Sequence, residues 1–279
     1  MDNRVGIGKQ NHFKYVPYIV TWVDLLGYGS MLKNCRFDPS SADAEKAVER
    51  LEQFNNISLK HASPSFPILQ MNDGIIAWRE LSFRTKSVTQ DFLARSIEFF
   101  YSVTEIEKLQ GYPGPRMVIS TGIRMKMNNL HKAVANQRAQ KLLDKISEGS
   151  ITVEKAIYQA CSYQDYCNGV DALQANFAFT KSYLAEDSGS AGGISGNSIY
   201  IDLAIFDNSD IKCLDIAAPF VWDKCPGLET TFAKINIYSR DIFMEHSMGD
   251  IASTYVISKR ITTCKEQDDV VQRLKNSLT

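Results

Sequence analysis

The segment Tyr15–Asp24 (YVPYIVTWVD) constrains the fold more than any other. It is β-branched and aromatic, too short for a typical helix, and closes on an acid just before the glycine-bearing turn Leu25-Leu26-Gly27-Tyr28-Gly29-Ser30. That composition predicts a buried strand running into a tight turn and a short helix. Pro17 belongs near the strand's start, where a missing N–H costs least. The same device recurs downstream: Phe66–Met71 and Gly74–Trp78 are apolar runs separated only by Asn72-Asp73. Asn and Asp tolerate positive φ, so the pair predicts a two-residue hairpin with Asp73 at its tip. Two carboxylates therefore stand where buried strands end.

The remaining pattern alternates. Ser40, Ser41 or Asp43 caps a helix reaching about His61, with Ala44, Ala47, Val48, Leu51 and Phe54 at helical spacing. A long helix is expected over about Val88–Gln110, stopped by Gly111-Tyr112-Pro113-Gly114-Pro115, and Arg116–Met127 reads as a strand. Asn128–Asn168 is polar and helical in flavour, Leu173–Ala185 is strand-like, and Asp187–Asn197 is a flexible Gly/Ser loop. Ser198–Phe206 is a strand or a helix; Thr230–Tyr238 reads as a strand and Asp268–Leu278 as a terminal helix. No internal repeat is present. This order predicts an α+β fold of ferredoxin-like (βαββαβ) type, an antiparallel sheet with helices on one side. The chain reads as one domain over 1–279, with a core of about 15–127 and 173–240, a helical insertion over 128–168 and an extension over 241–279.

Composition narrows the function. With 31 Lys+Arg against 32 Asp+Glu, the net charge of −1 argues against bulk binding to nucleic acid but leaves a single nucleotide open as a ligand. No apolar run is long enough to span a membrane, and the polar stretch Met1–Lys14 lacks the apolar core of a signal peptide, so a cytoplasmic protein without a membrane partner is expected. The cysteines at 35, 161, 167, 213, 225 and 264 form no C-x-x-C pair and read as reduced, mostly buried thiols, Cys161 and Cys167 within helix packing. Histidines 12, 61, 131 and 246 are scattered, which gives zinc no support. Trp22 and Trp78 read as core residues.

A ferredoxin-like topology places the end of the first strand beside the tip of the next hairpin. Asp24 and Asp73 meeting there can bind two divalent cations in oxygen-rich geometry, activating a hydroxyl and neutralising a polyphosphate. The backbone N–H groups of Leu26, Gly27 and Tyr28, at a helix start, can meet phosphates. Taken singly, each aspartate is ordinarily a cap or turn former.

Val23-Asp24-Leu25-Leu26-Gly27-Tyr28-Gly29 resembles the "(A/V)D-hydrophobic-x-G-(F/Y)" signature of class III nucleotidyl cyclases, and Asn72-Asp73-Gly74-Ile75-Ile76-Ala77 resembles their "GD-x-x-x-A" hairpin. Arg116–Arg124 resembles the next family strand. The resemblance covers roughly residues 15–125. It implies a class III cyclase fold, catalytic Asp24 and Asp73, and two Mg²⁺ or Mn²⁺ ions held by Asp24, Asp73 and the Leu25 carbonyl. It further implies triphosphate binding by Leu26, Gly27 and Tyr28, and a homodimer with its site at the interface. Arg124, Arg79 and Lys181 are the candidate cations, Arg124 being chosen for substrate binding. The first motif is similar to that of bacterial Pycsar cyclases, which implies cyclic CMP or cyclic UMP as an antiphage second messenger. Aligning Gly196 with the later family glycine puts Tyr200 and Ala204 where the transition-state Asn and Arg are expected. That departure keeps an alternative open, a catalytically inactive cyclase-like module that binds a nucleotide or a partner. A dinucleotide cyclase is a third reading, but its Gly-Gly-acidic-acidic-Phe hairpin is missing.

Overall fold

The computed structural model describes residues 14–36, 38–126, 130–162, 170–208 and 210–261. Its elements are β1 (Lys14–Leu25), α1 (Tyr28–Asn34), α2 (Ala42–His61), β2 (Ile68–Met71), β3 (Gly74–Glu80), α3 (Ser87–Leu109), β4 (Pro115–Lys126), α4 (Leu130–Ser147), α5 (Val153–Ser162), α6 (Phe177–Asp187), β5 (Ile199–Asp202), β6 (Asp215–Ile216), β7 (Phe220–Trp222), β8 (Thr230–Ile237), α7 (Arg240–Asp250) and α8 (Thr254–Arg260). The sheet order is β2-β3-β1-β4-β5-β8-β6, with β7 also paired to β8. β1 lies antiparallel between β3 and β4, and β2 pairs antiparallel with β3. This is the ferredoxin-like core expected from sequence, an α+β fold with a mostly antiparallel sheet. The added β5 is parallel to β4.

Strand alternation divides the layers. Ile19 and Val23 of β1 join Phe92, Ile97 and Phe99 of α3, Phe54 of α2 and Phe243 of α7 in the main core. Val16, Tyr18, Val20 and Trp22 point to the opposite face and meet Ala178. Thr21 finds its partner in Ser96 of α3 (2.7 Å). Ser41 caps α2, its hydroxyl accepting from the Ala44 N–H.

The strand expected over Leu173–Ala185 is instead α6, which lies on the face opposite α2 and α3. Asn176 caps it by accepting from the Phe179 N–H. Its inward positions Ala178, Lys181, Ser182 and Ala185 recur at helical spacing, while Phe177 and Tyr183 are exposed. Gly122 makes the approach possible: a Cβ there would lie 2.8 Å from the Ala178 Cα. Ser120 donates to the Ala178 carbonyl (2.8 Å). The open choice over Ser198–Phe206 resolves as β5 followed by a 3₁₀ turn over Leu203–Ile205. α4 and α5 lie in the 128–168 stretch expected to be helical. The Asp268–Leu278 helix lies outside the described residues.

Candidate active site

Register brings the two carboxylates together. Asp24 pairs with Gly74 across β1 and β3, and the Leu25 N–H donates to the Asp73 carbonyl (3.1 Å). Asn72, at φ 57, makes the turn, and its amide donates to Asp73 Oδ1 (2.9 Å). Gly74 is required because Trp22 lies over it: a Cβ would sit 2.6 Å from Trp22 Cη2. Trp22 is buried beside Phe179 and Tyr183, and its Nε1–H has no partner. Trp78 packs against the same cluster.

On the other side, Asp24 pairs with Arg116 of β4. The Arg116 guanidinium forks onto Glu186 of α6 (Nε to Oε1, 2.8 Å) and also reaches the Ile194 carbonyl. Arg50 of α2 is held by Glu107 of α3. Both nearby guanidiniums thus bond other carboxylates and offset the charge of Asp24 only in part. Partial burial, then the Glu186 and Asp73 carboxylates, push Asp24 from the ordinary 3.8 up to about 7, against the pull of Arg116 and Arg50. Burial and the Asp73 charge also raise the Tyr28 phenol. A crowded carboxylate pair without its own cation is the donor chemistry that suits a hard divalent ion. Among the described residues no group of three or more His, Cys, Asp or Glu side chains is placed to hold a metal. The oxygens that such an ion would meet here are the Asp24 and Asp73 carboxylates and neighbouring backbone carbonyls. The Leu25 side chain is buried in the core, so only its backbone is available there.

The glycine turn follows at once. Gly27 adopts φ 78 and starts α1, with Tyr28 anchored in the core. The Leu26 N–H is spent on the Gly114 carbonyl (3.1 Å). The Leu26 N–H, expected to meet phosphates, is thus engaged within the fold, beside the Gly27 and Tyr28 N–H groups at the start of α1.

The cations chosen from sequence are elsewhere. Arg124 pairs with Val16, eight residues along the strand from Asp24, about 26 Å at strand rise. It is buried against Tyr18. Within one chain, Arg124, expected to bind substrate, therefore lies at the end of β4 opposite Asp24. Arg79 pairs with Ile19 and donates to the Ser65 carbonyl. Lys181 is bound to the buried Asp202 (2.6 Å). Tyr200 is a core residue whose hydroxyl bonds Ser195, and Ala204 sits in the 3₁₀ turn, so neither supplies a polar group to the site. The Gly/Ser loop is pinned by Arg116 at Ile194 and by Trp222 Nε1 donating to Ser188 (3.1 Å). Cys35 and Cys213 are buried free thiols as expected, but Cys161 is exposed on α5 rather than packed.

No protein-family model matches this sequence, and no curated protein matches it. Similar solved structures include the guanylyl cyclase Cya2, at 11% identity and TM-score 0.45, covering 82% of this chain and 95% of that one. The adenylyl cyclase CyaB from P. aeruginosa is 13% identical at TM-score 0.43, with 81% and 97% covered. The guanylate cyclase domain of RhGC from Catenaria anguillulae, in complex with GTP, is 8% identical at TM-score 0.40, with 81% and 100% covered. Among the described residues no helix is long and apolar enough to cross a membrane.

Proposed function

We propose that this chain is a nucleotidyl cyclase, converting a nucleoside triphosphate into a 3′,5′-cyclic mononucleotide and pyrophosphate. The observation that carries the reading is the crowded Asp24–Asp73 pair, brought together by the Leu25–Asp73 bond beside a glycine turn. Asp24, Asp73 and the Leu25 carbonyl would hold two divalent cations, Mg²⁺ or Mn²⁺. When bound, such cations lower the pKa of the attacking hydroxyl and neutralise the polyphosphate. The chain's own work is positioning. The Gly27 and Tyr28 N–H groups receive phosphate oxygens at the start of α1, and Arg116, fixed by Glu186, holds positive charge beside Asp24. The ribose 3′-hydroxyl gives up its proton to water and its oxygen bonds to the α-phosphorus, as the bond from that phosphorus to the bridging oxygen breaks and pyrophosphate leaves. We favour a cytoplasmic homodimer and a pyrimidine product, cyclic CMP or cyclic UMP, on the resemblance of the Val23–Gly29 motif.

The second reading, an inactive nucleotide-binding module, is favoured by one observation: Tyr200 and Ala204 offer the site no amide or guanidinium. Asp73→Ala, assayed with all four ribonucleoside triphosphates and Mn²⁺, is expected to lower turnover by about 10²–10³. Equal turnover in variant and wild type refutes the role of Asp73. Tight nucleotide binding without pyrophosphate release in the wild type selects the inactive module.

A further inference from the structure

Arg50 is 1% exposed in the middle of α2, and its guanidinium gathers four parts of the fold. Nε and Nη2 donate to Glu107 near the end of α3. Nη2 also donates to the Leu26 carbonyl (3.0 Å), Nη1 meets Met31 Sδ on α1 (3.3 Å), and the plane lies 4.4 Å over the Tyr112 ring. A buried ion pair is by itself a poor reason for stability, since apolar residues of similar volume often serve as well. Holding the Leu26 carbonyl inward is something an apolar pair cannot do.

The consequence follows from peptide geometry. In a planar trans peptide the C=O and the next N–H point in opposite directions. With the Leu26 oxygen turned in toward Arg50, the Gly27 N–H turns out, away from the core. The preceding peptides are anchored differently, Leu25 N–H on Asp73 and Leu26 N–H on Gly114. Sterics do not decide the Leu26–Gly27 orientation, because Gly27 sits at φ 78 without a Cβ and tolerates the reversed peptide as readily. Reversal would present a carbonyl oxygen where a phosphate is to bind.

We propose that Arg50, anchored by Glu107, is a positioning residue that fixes the Leu26–Gly27 peptide with its N–H facing the phosphates of the substrate. The proposal rests on the nucleotide reading above. It is tested with Arg50→Lys, whose ammonium falls one bond short of the Nη2 position that reaches Glu107 and Leu26 together, and with the double variant Arg50→Met/Glu107→Gln, which leaves no orphaned buried charge. Each is compared with wild type for its thermal melt, for calorimetric affinity toward inorganic triphosphate with Mn²⁺, for KM and kcat, and for peptide orientation in a crystal structure. Cooperative melting, a reversed or disordered Leu26–Gly27 peptide, and triphosphate affinity and KM weakened by about 10- to 100-fold are expected. Folded variants that bind within twofold of wild type, or that keep the Leu26 carbonyl inward, overturn the role of Arg50. Failure of both to fold assigns Arg50 to stability and overturns it too. Wild-type protein that binds no triphosphate overturns the nucleotide reading instead, while the variant crystal structures still decide the peptide.

Discussion

Replacing Asp24 with Asn should stabilise the cation-free protein at alkaline pH. The Asp24 carboxyl is held at about 7 against an ordinary 3.8, so the folded protein takes up its proton more readily than the unfolded chain. For a group whose folded pKa is raised, the stabilising contribution is complete below about pH 4 and is lost as pH rises through 7. The gap corresponds to at most about 4 kcal/mol at pH 8, and solvent screening at this partly exposed site reduces it to about 1–3 kcal/mol. Asn carries no charge to desolvate and no repulsion with Asp73. Melting in the presence of a chelator should therefore show little difference near pH 4.5 and an advantage for Asp24→Asn of about 2–10 °C at pH 8. Mn²⁺ should raise the wild-type melting temperature at pH 8 and leave the variant nearly unmoved. A difference that does not change with pH, or a variant less stable than wild type at pH 8, refutes the reasoning that Asp24 is a strained carboxylate awaiting a cation.

Three stability predictions test the surrounding frame. Lys181→Met strips the cation from Asp202, whose carboxylate is fully buried. Burial pushes Asp202 up, yet Lys181, Thr230 and Ala204 outweigh it and hold it below its ordinary value. Chemical denaturation should show a loss of about 3–5 kcal/mol. Gly122→Ala forces a methyl against the α6 backbone, and a loss of about 1–3 kcal/mol is expected in the same assay. Ala175 holds φ 49, so Ala175→Gly should gain about 0.5–1 kcal/mol by relieving a left-handed conformation.

The parts of this fold that were legible in sequence are those where one local signal decides. Tyr15–Asp24 and the Asn72-Asp73 turn announce their strands through β-branched runs and turn chemistry, and α3 through its length. α6 was not legible as a helix because its buried stripe is small and polar, Ala178, Lys181, Ser182 and Ala185, while Phe177 and Tyr183 give the segment a strand-like apolar content. Its one signal was Asn176, a capping residue three positions before the Phe179 N–H that it accepts from. The candidate site divides the same way. Asp24 and Asp73 each end an apolar run, but Arg116, Glu186, Arg50 and Glu107 act through pairings between distant elements, which depend on strand register and helix docking. Arg124 was chosen by its strand alone, and the register then put it at the opposite end.

The central claim is tested most directly by identifying the product by mass after incubating wild-type protein with each ribonucleoside triphosphate and Mn²⁺, while measuring pyrophosphate in the same sample. A 3′,5′-cyclic mononucleotide formed one-for-one with pyrophosphate is expected, together with its loss in Asp73→Ala. Release of inorganic phosphate, a linear or dinucleotide product, or no turnover of any of the four would contradict it.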